Sequence, residues 1–238
     1  MRPDKILCFE LFGDYAQFKK FFTNMSPLSF SIPPRTVLSG IIGAILGIDK
    51  QENPEHFSAN SSFIALRIMN PVKKTKIAHN YLKTTSLKQV YDYDEHKPTN
   101  VEFLKDVRYR IYFSCVEQNI YLTLKSLMEA HHSVYTVCLG ISGCLANYSY
   151  LGEYETSLLP PDKMVRINSV IPMASIANLT IEEPLNLQKV VIPSTMNNQR
   201  EVTKYDEVLL ELMGKPITVI PHDATYLVDG LQDIIHEF

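Results

Sequence analysis

No stretch of the sequence is long and apolar enough to cross a membrane as a helix. The longest apolar run, glycines counted, is about nine residues, Gly40 to Ile48, whereas a span needs roughly 20. The start, Met1-Arg2-Pro3-Asp4-Lys5, leads into a short mixed segment without the apolar core or cleavage site of a secretory leader. A cytoplasmic protein with no membrane partner is expected. Cysteine is scarce as well. The four, Cys8, Cys115, Cys138 and Cys144, form no CxxC pair and sit among small or apolar residues. That fits reduced structural thiols better than a disulfide framework or a zinc ligand set. The seven histidines are scattered, and the one close pair, His131-His132, is adjacent in sequence. Adjacent residues cannot share a helix face, so no metal site is expected. Gly-Lys-Ser/Thr is missing, so Gly40, Gly43 and Gly47 do not form a nucleotide P-loop, and no cofactor is expected. Nor is there an excess of base: 23 Lys and Arg against 26 Asp and Glu leave a formal charge of −3. A protein that coats nucleic acid on every side is thereby excluded.

What is present is a chain of 238 residues, 45% hydrophobic and 21% charged, enough for one elaborated domain over residues 1–238. Residues 5–12 alternate as a strand, with Leu7, Phe9 and Leu11 on one face, and Gly13-Asp14 closes it. Residues 34–47 read as a helix apolar nearly all round, hence buried, with Pro34 in its first turn. Its glycines cost helix propensity, so close backbone packing is the expected reason for them. Strands follow at 61–70 and 105–115, a helix at 118–131, and a strand at 146–156. The order is strand, helix, strand, strand, helix, strand. It predicts an α+β, ferredoxin-like (RRM-like) antiparallel sheet with two helices on one face. Two additions are expected. Residues 71–104 are too long for a turn and read as an inserted hairpin. Residues 160–238 hold further short strands, at about 165–173, 187–193, 204–212 and 216–228, as an additional C-terminal β region.

Charge is unevenly spread. Residues 67–88 hold Arg67, Lys73, Lys74, Lys76, Lys83 and Lys88 with no acid, and residues 15–48 hold Lys19, Lys20 and Arg35 with none. Residues 201–238 hold two lysines against eight acids. So the net −3 separates into a basic N-terminal part and an acidic tail. A basic hairpin interleaved with His79 and Tyr81 suits single-stranded nucleic acid, with lysine for phosphate and rings for bases. It equally suits a solvated, edge-protecting loop.

Several ordered segments carry a resemblance. They are Phe12-Gly13-Asp14-Tyr15-Ala16-Gln17-Phe18-Lys19-Lys20-Phe21, then Ser26-Pro27-Leu28-Ser29-Phe30-Ser31-Ile32-Pro33-Pro34-Arg35-Thr36, then Gly40 to Gly47. Together they resemble the N-terminal motif of the fifth CRISPR-associated (Cas) protein family. That family is a RAMP-superfamily subunit of type I Cascade, the RNA-guided surveillance complex. His79 to Lys83, Pro98 to Leu104 before Tyr109-Arg110-Ile111-Tyr112, Leu139-Gly140-Ile141-Ser142 and Gly152-Glu153 resemble its I-B form. Where Thr-Pro-Tyr-Leu-Gly is the family pattern, this chain has Thr136-Val137-Cys138-Leu139-Gly140, and Gly143 stands where an acid often follows the serine.

The resemblance implies a non-catalytic subunit acting in antiviral defence. It would cap the 5′ handle of the guide RNA (crRNA) and contact the Cascade backbone and large subunits, with target DNA nearby. The 71–104 hairpin would be its thumb. The candidate RNA-binding residues are Tyr15, Phe18, Lys19, Lys20, Arg35, Thr36, Ser39, His79, Tyr81, Lys83 and Arg108. Arg35 and Thr36 open a helix, where free N–H groups favour phosphate, although Arg35 also suits a structural ion pair. Phe21 and Phe22 read as core or interface. Arg108, Arg110 and Tyr112 face away from the helices, either towards RNA or beneath the C-terminal strands.

One subtype of the family cleaves repeat RNA without metal, so a metal-independent endoribonuclease is the alternative. Such a reaction needs a base, an acid and a cation. His131, His132, Lys125, His79, Tyr81 and Lys83 supply those types. His131-His132, however, closes a predicted helix, where a cation favours the dipole.

Overall fold

The computed structural model describes residues 2–23, 26–82, 96–181 and 183–238. Its central sheet is built from β1 (Lys5–Ala16), β2 (Ser62–Ile68), β4 (His96–Cys115) and β5 (Asn147–Leu159), in the order β5-β1-β4-β2, every pair antiparallel. Helix α1 (Arg35–Leu46) lies between β1 and β2 in sequence, and α3 (Gln118–Glu129) between β4 and β5. A single turn, α2 (Asn53–His56), follows α1. Both long helices pack on one face. Leu38, Ile41, Ile42 and Ile45 of α1 and Leu124 and Met128 of α3 join Leu7, Phe9, Leu11, Ile111 and Phe113 in the main core. Fully burying side chains of this size stabilises by roughly 1.5–3 kcal/mol each.

Two strands run longer than their sequences predict. The first does not stop at Gly13. There the chain needs a residue without Cβ, because one would meet the Leu145 carbonyl at 2.8 Å and Leu139 at 2.9 Å. Gly13 is thus an in-strand close approach, and β1 continues to Ala16. The third predicted strand is the end of a much longer one. β4 also supplies the second arm of the inserted hairpin, pairing with β3 (Lys73–Leu82) from Lys73↔Lys105 to Leu82↔His96. At the root, Asp106 adopts a left-handed φ of 54°, which Asp tolerates better than most residues.

The C-terminal region fills three places. β6 (Val165–Ile167), β8 (Ile176–Thr180) and β11 (Ile217–Pro221) form one small sheet, and β7 (Ile171–Pro172), β9 (Leu187–Met196) and β10 (Val202–Glu211) another. β12 (Thr225–Val228) pairs with the end of β5 and with β13 (Asp233–Ile235). This last hairpin lies over the face opposite the helices. There Tyr226, Val228 and Ile235 join Ile6, Cys8, Phe63, Ala65 and Tyr112 in a second core, and Phe63 and Tyr226 meet edge to face at 5.3 Å. The residues predicted as one strand over 216–228 are therefore two strands of different sheets.

Covering that face decides the fate of its charges. Asp233, 3% exposed, accepts hydrogen bonds from Arg67, from Arg110 Nη1 at 3.1 Å and from the Tyr112 hydroxyl. Glu10 accepts from Arg110 Nη2 at 2.8 Å. Burial pushes the Cys8 thiol up to about 12 and the Tyr112 phenol well above its ordinary value. The choice between RNA and the C-terminal strands is thus settled for Arg110 and Tyr112: the strands cover them.

Candidate nucleic-acid interface

No β3 side chain of the inserted hairpin is fully buried, whereas Val101, Phe103 and Leu104 of its β4 arm join the main core. Its root is clamped. Lys74 Nζ donates to Glu102 Oε1 at 2.9 Å and to the Ser29 carbonyl at 3.1 Å, while Ser29 N–H donates to Glu102 at 3.0 Å. Burial alone would raise the Glu102 carboxyl. The hydrogen bonds from Lys74 and Ser29 outweigh it and hold the carboxyl below the usual range. Beyond the root, alternation puts Lys73, Thr75, Ile77, His79 and Tyr81 on one face, opposite Lys105, Phe103, Val101, Thr99 and Lys97.

Four rings line up there. The His79 imidazole stacks on Tyr81 (5.7 Å, 22° between planes) and on Phe103 (5.3 Å, 20°), and Tyr15 meets Phe103 edge-on at 6.3 Å. Tyr81 and Tyr15 are 46% and 39% exposed, so each end of the row offers a ring to solvent. Lys97 and Lys105 are exposed on the same face, and among the described residues neither has an acidic partner. Phe103 is the member that the sequence reading missed. Continuing the alternation of β4 below residue 105 would have placed it in register with Val107 and Tyr109.

The other predicted residues lie elsewhere. Arg35 is not at a phosphate site. It is 3% exposed, donating to the Phe238 carbonyl at 2.8 Å and the Ser62 carbonyl at 2.7 Å, with Glu237 3.5 Å away. Phe18, 2% exposed, belongs to the core beside Tyr109. Both corrections have one cause: the C-terminus and the loop after β1 close over residues that the sequence left open. Lys19 is exposed. The Lys20 amine lies 5.7 Å over Phe22 and 5.8 Å over Phe30, its pKa lowered by burial and by Lys74. Phe21 and Phe22 are not core; they are 52% and 62% exposed, and Phe21 meets Phe22 edge-on at 5.1 Å and Tyr205 at a tilt at 4.9 Å. Arg108 is bound to Glu10 Oε2 at 2.9 Å and lies over Phe12. Thr36 and Ser39 line a separate groove of about 340 Å³ beside α1. Lys83 lies outside the described residues.

A family model described as CRISPR-associated protein (Cas_Cas5) matches residues 6–165. The chain belongs to this family. The Cas5 match takes in both long helices, all four central strands and the hairpin, and stops before most of the C-terminal β region. No curated protein sequence matches significantly. Among solved structures the fold is similar to a CRISPR protein from Archaeoglobus fulgidus, with 14% identity, TM-score 0.54 and 97% of each chain covered. It is also similar to a chain of a CRISPR RNA-guided surveillance complex, with 10% identity, TM-score 0.56 and 91% of each chain covered. A chain of the Type III-B Cmr-beta complex bound to cognate target RNA and AMPPnP has 9% identity and TM-score 0.51, covering 89% of this chain and 86% of that one.

The Leu139-Gly140 element quoted for the Cas5 resemblance has a physical role here. Gly140, at φ 95°, lies where a Cβ would collide with the Gln17 carbonyl, and Gln17 N–H donates to the Leu139 carbonyl at 3.0 Å. The 139–140 turn thereby holds the start of the Lys19-Lys20 loop.

Proposed function

We propose that this Cas5 protein is a non-catalytic subunit of a type I, I-B-like Cascade complex, built on a ferredoxin-like sheet. In this reading it grips the 5′ handle of the guide RNA and contacts the backbone and large subunits, with target DNA nearby. The observation that carries the reading is the row Tyr81–His79–Phe103–Tyr15 flanked by exposed lysines that have no acidic partner among the described residues, on the hairpin of a chain of this family. Exposed rings beside free cations suit unpaired bases and their phosphates. Of the two lysines in the nuclease reading, Lys125 is held by Glu153 Oε2 at 3.2 Å and Lys83 lies outside the described residues. The strand order β5-β1-β4-β2 supports the ferredoxin-like reading.

The test is binding of handle RNA to the purified protein, without metal, and analysis of the RNA afterwards. Tyr81→Ala with His79→Ala is expected to weaken binding at least tenfold, with the RNA recovered intact. Unchanged binding, or specific cleavage lost in His132→Ala, would overturn the reading.

A further inference from the structure

Glu102 of β4 stands directly opposite Lys76 in the hairpin ladder, where a cross-strand ion pair is the usual arrangement. Its carboxylate reaches instead towards the root, to Lys74 Nζ at 2.9 Å and to the Ser29 N–H at 3.0 Å. Lys20 is a second cation at this joint. Burial and then the Lys74 charge lower the pKa of its amine, while Glu102 raises it. Two ammonium groups thus share one carboxylate, whose side chain is only 14% exposed.

The partner across the joint is a short antiparallel ladder of residues 18–20 and 28–30. Phe30 N–H donates to the Phe18 carbonyl at 2.8 Å, Lys20 N–H donates to the Leu28 carbonyl at 2.9 Å, and Lys19 is bridged to Ser29 between them. In that pairing the backbone groups of Ser29 point out of the ladder. Both are taken by the hairpin: the N–H by Glu102, and the carbonyl by Lys74 Nζ at 3.1 Å. Glu102 N–H also donates to the Pro27 carbonyl at 2.9 Å. Ser29 is fully buried. Alternation puts Lys74 and Glu102 on the hairpin face opposite His79, Tyr81 and Phe103, so the short ladder stands behind the ring row. The row itself draws Tyr15 from β1 and His79 and Tyr81 from β3, and it stays continuous only while the hairpin keeps its angle to β1.

We propose that Glu102 is a positioning residue: it locks the inserted hairpin to the ladder of 18–20 and 28–30 and so fixes the angle at which the ring row meets single-stranded RNA. The RNA is that of the hairpin reading, on which this part rests; the lock stands on the geometry alone. Without the carboxylate charge, Lys20 and Lys74 face each other uncompensated, and the joint turns from attractive to repulsive. Ordinary electrostatics gives RNA binding the opposite sign, because losing an acid beside a polyanion should tighten it.

The experiment uses Glu102→Gln in the full-length protein, which keeps the shape of the side chain and removes its charge. Hydrogen exchange at the Ser29 amide is expected to quicken at least fivefold, with the amides of Leu7 and Ile111 in the central sheet unchanged. Affinity for a single-stranded RNA oligomer, read by fluorescence anisotropy, is expected to fall at least fivefold. Combined with Tyr81→Ala, the loss should be smaller than the product of the two single losses, because both act through the row. Glu102→Gln binding RNA as tightly as wild type or more tightly, or losses that simply multiply, would overturn the positioning role. Unchanged exchange at Ser29 would overturn the lock. Lys74→Met breaks the same joint from the other side and should also quicken Ser29 exchange, which keeps the lock testable if Glu102→Gln does not fold. A wild type that binds no RNA would overturn the hairpin reading and with it the positioning role, while Ser29 exchange would still decide the lock.

Discussion

The face beneath the C-terminal hairpin and the face of the inserted hairpin use the same kinds of residue to opposite ends. Beneath β12–β13, Arg67, Arg110, Glu10 and Asp233 are partnered with one another, and Tyr112 spends its hydroxyl on Asp233. On the inserted hairpin, Lys97 and Lys105 are exposed without acidic partners among the described residues, and Tyr81 turns a ring to solvent. Partnering, more than residue type, separates structural charge from charge free for a ligand. Arg35 makes the same point. It has the chemistry of a phosphate ligand, but its donors hold the Phe238 and Ser62 carbonyls.

Removing one charge from the closed face should have the largest effect. Asp233→Ala strands Arg67 and leaves Arg110 with Glu10 alone, and breaking a buried pair costs about 3–5 kcal/mol. Urea unfolding should show that loss. Replacing Asp233, Arg67 and Arg110 together by apolar residues should recover most of it, since well-packed apolar groups often substitute for buried ions. The open face should behave in the reverse way. Tyr81→Ala should cost about 1–3 kcal/mol of RNA affinity, the value of one stacked base, and shift stability by less than about 0.5 kcal/mol. A Tyr81→Ala protein as destabilised as Asp233→Ala would erase the contrast between the two faces.

Gly40 sharpens it further. Gly40→Ala meets open space and should raise stability by up to about 1 kcal/mol through helix propensity, read as a higher melting temperature. The smallest effect concerns pH. Burial lowers the pKa of His236 from its ordinary 6.5, so its neutral form is favoured in the fold. Its contribution is fully present above pH 6.5 and is lost as pH falls from there towards the lowered value. Melting temperature should therefore fall on mild acidification, and less so in His236→Gln.

Much of this was legible in the sequence because it rests on periodicity. The alternation of Leu7, Phe9 and Leu11, the apolar wrap of α1 and the stop at Pro71 located the sheet and helices closely. Motif order located the family. What stayed hidden was set by distant contacts. Gly13 reads as a turn until the Leu145 carbonyl is seen beside it. Residues 96–104 read as part of an inserted hairpin but not as one strand with 105–115, because that stretch of β4 draws its order from β3. Phe18 and Arg35 look available because nothing local shows that the loop after β1 and residues 237–238 close over them. Of the predicted site residues, Tyr15, His79 and Tyr81 come together, joined by Phe103, while Thr36 and Ser39 line the groove.

The most direct measurement is the salt dependence of RNA affinity for wild type and for Lys97→Gln with Lys105→Gln. For single strands, the logarithm of the binding constant falls with the logarithm of salt by about 0.7 per phosphate contact. The account predicts a slope shallower by about 1.4 in the double variant, with unfolding unchanged. Equal slopes would mean that these lysines touch no phosphate, and would contradict it.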